Sequence, residues 1–215
     1  MYVPNHFRAD DLSTIKGFIT DNEFALVVST QGGIPIASHL LVELQEDSQN
    51  NLFLNGHMAR NNPQWKSFDP GSEVLTVFQG PHTYVSPMWY TIQAVPTWNY
   101  LAVHAYGHAR IIDDRSELYQ LLERLVDRHE AASGTVNRFL LKDSPPDFIE
   151  NMMNAVVGFQ ISVTKIEASF KLSQNRSADD YQRIIIELKK RADESSHAVA
   201  DAMERHRHEG MAQEE

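Results

Sequence analysis

The chain has 215 residues, 42% of them hydrophobic and 22% charged, with no cysteine and a formal net charge of −10. That length suffices for one large domain with a proper core, and the lack of cysteine excludes disulfides, iron–sulfur clusters and a thiol nucleophile. Residues 193–215 hold seven acids against two arginines, so −5 of the charge sits there, and duplex DNA, whose binding rests on Lys and Arg neutralising phosphates, is not an expected partner on charge.

The opening Met1-Tyr2-Val3-Pro4 lacks the basic and apolar regions of a signal peptide, and no apolar run approaches the roughly 20 residues of a membrane span. A cytoplasmic location is therefore expected. Asp10 or Asp11 can cap a short helix through Leu12, Ile15, Phe18 and Ile19. Phe24–Thr30 reads as a buried strand, turned by Gln31-Gly32-Gly33 into a hairpin partner, Ile34–Leu44. Leu52-Phe53-Leu54 is another strand. Asn61 or Asn62 then caps a helix opened by Pro63, with Trp65 and Phe68 on its buried side. Glu73–Gln79 is a strand that Gly80-Pro81 should break before His82–Ser86 resumes it.

Residues Pro87–Thr97 are aromatic-rich and without period, which predicts an ordered loop. Asn99–Ile112 is a long strand, and Asp113 or Asp114 caps a helix carrying Leu118, Leu121, Leu122 and Leu125. Pro145-Pro146 opens the next helix, Val156–Leu172 is a last strand, and Ser177 caps one helix running from Ala178 to about His206. Strands joined by hairpins with helices inserted late predict a mainly β fold, a barrel with peripheral helices. The chain beyond Ser196 reads as dispensable, since its apolar positions thin out after Val199.

Three stretches carry candidate chemistry. In "NGHMARNNPQW", His57 and Arg60 lie at the mouth of the Pro63 helix, where free N–H groups and a guanidinium suit a phosphate; a solvated loop arginine is an equal competitor. "FQGPHTYVSPMWY" and "VPTWNY" alternate aromatics, among them Tyr84 and Trp98, with Gln79, His82 and Asn99. That mixture suits a flat heterocycle, although such loops are more often pinned by their own rings. "KLSQNRS", Lys171–Ser177, ends a strand with two cations and two amides, and a helix cap explains Ser177. No metal site is expected: His104 and His108 on one strand would be roughly 13 Å apart, and His129-Glu130 lacks the second His of a zinc helix. Neither a Gly-rich phosphate loop nor a serine nucleophile elbow is present.

With "MYVPNHF", these blocks in this order resemble the PaiB family of FMN-binding negative transcriptional regulators, over Met1 to Ser177. The resemblance implies an FMN-binding split β-barrel over residues 1–176, followed by a C-terminal helix and acidic tail over 177–215. It also implies a homodimer with FMN at the subunit interface. Carried over by position, Arg60 falls near the FMN phosphate with His57 and Met58 beside it, and Asn62 and Gln64 belong to the Asn-Pro-Gln segment. Gln79 borders the flavin with Tyr84, Trp98 and Asn99, and Lys171 and Gln174 come from the partner subunit.

Two functions are consistent with this. One is a negative transcriptional regulator acting as a flavin-dependent sensor, with DNA as a partner by resemblance. The other is an FMN-dependent oxidoreductase without DNA contact, which the acidic charge favours; no catalytic residue is assigned, because a flavin supplies much of its own chemistry.

Overall fold

The computed structural model describes residues 1–68 and 71–212, with side chains to His206. Among these residues lie six strands: β1 (Phe24–Gln31), β2 (Ile34–Glu46), β3 (Leu52–Ala59), β4 (Glu73–Val85), β5 (Thr97–Ile112) and β6 (Val156–Lys171). Five α-helices accompany them: α1 (Leu12–Asp21), α2 (Arg115–Ala132), α3 (Pro146–Ala155), α4 (Ala178–Lys189) and α5 (Glu194–Ala212). The strands close into a barrel in the order β1-β2-β3-β6-β5-β4, and the pairs β1–β2, β2–β3, β3–β6 and β1–β4 are antiparallel. This is the expected mainly β fold with peripheral helices, a split barrel.

Period-2 burial makes the barrel. On β5 the odd-numbered residues Asn99 to Ala109 are buried while their neighbours are not, so one face of the pleat lines the interior. Close approaches between elements call for glycine. A Cβ on Gly107 would run into the carbonyl of Ser162, and one on Gly56 would meet the Phe159 ring.

The chain forms two compact units. The first comprises residues 19–78 and 105–166. Its barrel interior holds Val27, Val42, Leu54, Phe78, Phe159 and Ile161, all fully buried. Outside the sheet, α2 sets Leu118, Leu121, Leu122 and Leu125 into one cluster with Ile112, Leu141 and Met153. Asp114 caps this helix, accepting from the N–H of Glu117 at 2.8 Å.

The second unit comprises residues 1–18, 79–104 and 167 onward. Asp11 caps α1 through the N–H of Thr14 at 2.7 Å. Where a single helix was expected after Ser177, two appear. Asp193 accepts from the backbone and hydroxyl of Ser196 at 2.8 and 2.9 Å, so a cap starts α5 afresh and the chain reverses at 190–193. The reversal places Val199, Ala200, Ala202 and Met203 in a buried cluster with Tyr181, Ile184 and Leu188. The Tyr181 hydroxyl donates to the Met203 carbonyl at 2.7 Å. The expectation that everything beyond Ser196 is dispensable therefore fails for 199–203; the acidic end at 213–215 lies outside the described residues.

β4 also differs from expectation, running unbroken through Gly80-Pro81. Its register with β1 covers only Leu75 to Val77, so Pro81, which has no N–H, lies beyond that ladder. Gly80 marks a close approach: the Phe18 ring occupies the place of its missing side chain.

Candidate functional site

The 57–64 stretch is a tightly bonded junction. Its β3 strand pairs His57 with Gly158 and Ala59 with Val156 of β6. At its end the Arg60 N–H donates to the Ala155 carbonyl at 2.8 Å. The Arg60 guanidinium donates through Nε to the Asn154 carbonyl at 2.8 Å and through Nη2 to the Val156 carbonyl at 2.7 Å. Arg60 thus caps the C-terminus of α3, where helix carbonyls are left without N–H partners and cations are favoured. Its side chain is exposed and Nη1 makes no hydrogen bond among the described residues.

The helix expected after Pro63 is a five-residue 3-10 turn, Pro63–Ser67, capped by Asn62, whose Oδ1 accepts from the Gln64 N–H at 3.0 Å. So short a turn has little macrodipole, and one of its first donors is already used. The phosphate argument from a helix N-terminus therefore lapses, leaving Arg60. Asn62 also donates to the Ser38 hydroxyl at 2.8 Å. Gln64 is buried and donates through Nε2 to the Val27 carbonyl at 2.9 Å and the Ser29 hydroxyl at 3.1 Å. Met58 is buried in the barrel. His57 is partly buried, its Nδ1 is sealed from solvent with no hydrogen-bond partner among the described residues, and burial holds its pKa below the ordinary histidine value. Burial thus favours the uncharged imidazole.

In the other unit, strands β4 and β5 present an aromatic surface. Tyr84 is 38% exposed and Trp98 53% exposed. The Trp98 ring centroid is 6.1 Å from those of both Tyr84 and His82, edge-on to the first and tilted to the second. Gln79 Nε2 lies 3.4 Å from His82 Nδ1. Two rings, an imidazole and an amide thus share one face.

Residues around the end of β6 form a third group. Lys171 donates to the Thr97 hydroxyl at 2.5 Å and lies 5.6 Å over the Phe7 ring. Burial first, and then the charge of Arg176, hold the Lys171 ammonium below the usual lysine range. Asn99 is fully buried, accepting from the Ser173 hydroxyl at 3.0 Å and donating to the Met203 sulfur at 3.6 Å. Gln174 closes the turn after β6, accepting from the Leu172 N–H at 2.8 Å and donating to the Phe170 carbonyl. Of the predicted residues, then, Gln79, Tyr84 and Trp98 share a surface. Lys171, Asn99 and Gln174 share the β6 end, and His57 to Gln64 belong to the other compact unit.

Sequence reasoning missed a cavity of about 310 Å³ lined by Leu41, His57, Leu125, Phe139, Met152 and Val156, among others. Its only sequence signal was the surplus of apolar residues on α2, which reads as ordinary core.

The six-stranded closed barrel with its flanking helices is a split barrel. The fold recurs in the flavocytochrome Anf3 of Azotobacter vinelandii (TM-score 0.58, 13% identity, 84% of this chain and 78% of that one). It recurs also in the FAD and heme binding protein of Mycobacterium smegmatis (TM-score 0.54, 13% identity, 81% and 78%). Residues 1–165 match the family described as "Putative FMN-binding domain". The "Protease synthase and sporulation protein PAI 2" of Bacillus subtilis is 37% identical over 204 residues, 95% of this chain and 97% of that protein. The uncharacterized protein YKL070W of Saccharomyces cerevisiae is 32% identical over 153 residues, 60% and 90% of the two chains. The chain belongs to this FMN-binding domain family, in its PaiB branch, and its cofactor is FMN.

The side chains present fit that cofactor. The exposed Tyr84 and Trp98 rings suit an isoalloxazine face, and Gln79 suits its polar edge. An exposed guanidinium whose Nη1 makes no hydrogen bond among the described residues suits the phosphate.

Proposed function

We propose that this chain is a homodimeric, FMN-loaded negative transcriptional regulator in which the flavin state is the sensed signal. The observation that carries the reading is the exposed Tyr84–Trp98 pair beside Gln79 and His82 in a family whose cofactor is a flat heterocycle. In this proposal Tyr84 and Trp98 stack on the ring system and Gln79 bonds its edge, and Arg60, which belongs to the other compact unit, is the phosphate candidate that the family motif supplies. Lys171 is contributed by a second copy, and Gln174, bonded at both ends of its amide within its own turn, shapes the chain beside it. Met58, Asn62, Gln64 and Asn99, whose side chains are buried or bonded within the protein, hold the surrounding backbone in place. FMN supplies reversible two-electron chemistry once bound; the protein's residues bind it and fix its orientation.

The dimer is supported by unpartnered apolar surface. Met88, Ile92 and Val95 are exposed in the same unit as Tyr84 and Trp98, more than a solvated loop ordinarily shows. The regulatory part draws on the name of the Bacillus relative, which refers to protease synthase and sporulation.

A second reading, an FMN-dependent oxidoreductase without DNA contact, is favoured by the net charge of −10, against which any duplex must bind. The two separate in one experiment. The FMN-loaded protein, oxidised and chemically reduced, is used to select from a pool of random-sequence duplexes at physiological salt. Enrichment of one sequence in a single flavin state supports the regulator. No enrichment, with steady consumption of a nicotinamide donor, supports the oxidoreductase.

A further inference from the structure

The reversal between α4 and α5 is bonded to the strand that carries the aromatic surface, within one compact unit. Along a strand, residues alternate in the face their side chains take and in the edge to which their backbone groups turn. His82 and Tyr84 of β4 therefore share both a face and an edge. On that face their rings stand beside Trp98 of β5. On that edge the Ser195 hydroxyl accepts from the His82 N–H at 3.1 Å and donates to the His82 carbonyl at 2.7 Å. One hydroxyl thus exchanges both bonds with His82, as a paired strand residue would. Arg191 donates through Nη1 to the Tyr84 carbonyl at 3.2 Å.

Thr83, between them, is buried, its hydroxyl 2.8 Å from that of Ser196 and 3.4 Å from Arg191 Nη1. Three successive residues of β4 are thus bonded to one short reversal of the chain. The reversal is itself fixed. Arg191 Nε pairs with Asp193 at 3.3 Å, Asp193 caps α5 through Ser196, and the Arg191 carbonyl accepts from His197 Nε2 at 2.6 Å.

We propose that Arg191 and Ser195 are positioning residues for the flavin: through the β4 backbone they hold His82 and Tyr84 where their rings meet Trp98. The inference rests on the reading of Tyr84 and Trp98 as the flavin face. Neither residue touches the flavin; each aligns the strand before the ligand arrives, and a face ordered in advance binds more tightly. Coupling of this kind is reciprocal. FMN must stabilise the docked reversal by the same factor by which the reversal strengthens FMN. In a flavin-state sensor, the α4–α5 hairpin is then the element that flavin occupancy holds in place.

Fluorescence titration of FMN and riboflavin into the flavin-free full chain tests this. Ser195→Ala and Arg191→Met should each weaken both ligands about three- to tenfold, the worth of one hydrogen bond. FMN and riboflavin should weaken by the same factor, because an effect passed through the strand does not distinguish the phosphate. Ser195→Thr, which keeps the hydroxyl, should restore wild-type affinity. Lys189→Met, which removes the α4–α5 ion pair with Glu204, should leave both affinities unchanged. Amide exchange gives a second readout: the His82 amide should exchange faster in S195A than in wild type without ligand, and FMN should slow it in wild type. Full FMN affinity in both S195A and R191M, where W98A has lost affinity, would overturn the positioning role alone. Full affinity in W98A would overturn the flavin face on which it rests. Weakening of FMN but not riboflavin by R191M would make Arg191 a phosphate ligand, and equal weakening by K189M would make the effect one of general stability; either would overturn the proposal.

Discussion

Replacing Arg60 with Ala removes two different things, and the structure allows each to be sized. The first is the cap on α3: two hydrogen bonds, 2.8 and 2.7 Å, from an exposed guanidinium to the carbonyls of Asn154 and Val156. Exposed bonds lie at the low end of the usual range, so together they contribute about 1 kcal/mol, or a fall of about 2–4 °C in Tm for a chain of this size. The second is the proposed charge-assisted contact to the FMN phosphate, worth roughly 1.5–3 kcal/mol, or one to two decades in Kd. The two separate by ligand. FMN and riboflavin differ only in the phosphate, so fluorescence titration of both into wild type and R60A should show FMN weakened ten- to hundredfold and riboflavin nearly unchanged. Equal weakening of both ligands would refute the phosphate assignment and leave Arg60 as a helix cap alone.

Three other outcomes follow from the packing. Met203→Ala, which empties a fully buried position in the α4–α5 cluster, should cost about 2–5 kcal/mol in denaturant unfolding; a loss under 0.5 kcal/mol would mean that α5 is not docked. Asp193→Ala removes the α5 cap and should cost about 1 kcal/mol, read as a lower Tm. Because burial holds the His57 pKa below its ordinary 6.5, the unfolded chain takes up a proton first as pH falls. Stability should therefore decline below about pH 6.5, and His57→Phe should make that decline shallower. His104, also lowered mainly by burial, should leave part of it in place.

Most of the fold is legible in the sequence where neighbouring residues decide it. Asp11, Asn62, Asp114 and Ser177 cap within three residues, and the alternation along β5 appears directly as burial. Long-range partners are not legible. The Arg60 guanidinium bonds to carbonyls 94 and 96 residues away, which no local pattern announces. The split between α4 and α5 turned on Asp193, whose capping role competes with a helical pattern that otherwise continues. The cavity is formed by residues from β2, β3, α2, α3 and β6, each of which alone resembles ordinary core. The motif blocks carried the family and its cofactor, but not which of their side chains face outward.

The central claim is that this chain binds FMN through its exposed aromatic surface. Titration of FMN into the flavin-free protein, followed by the visible absorption spectrum, tests it most directly, with Trp98→Ala as the comparison. The account predicts saturation at one FMN per chain, a perturbed flavin band, and about one to two decades weaker binding in W98A, from loss of roughly 1–3 kcal/mol of stacking. A spectrum identical to free FMN at every ratio, or full affinity in W98A, would contradict it.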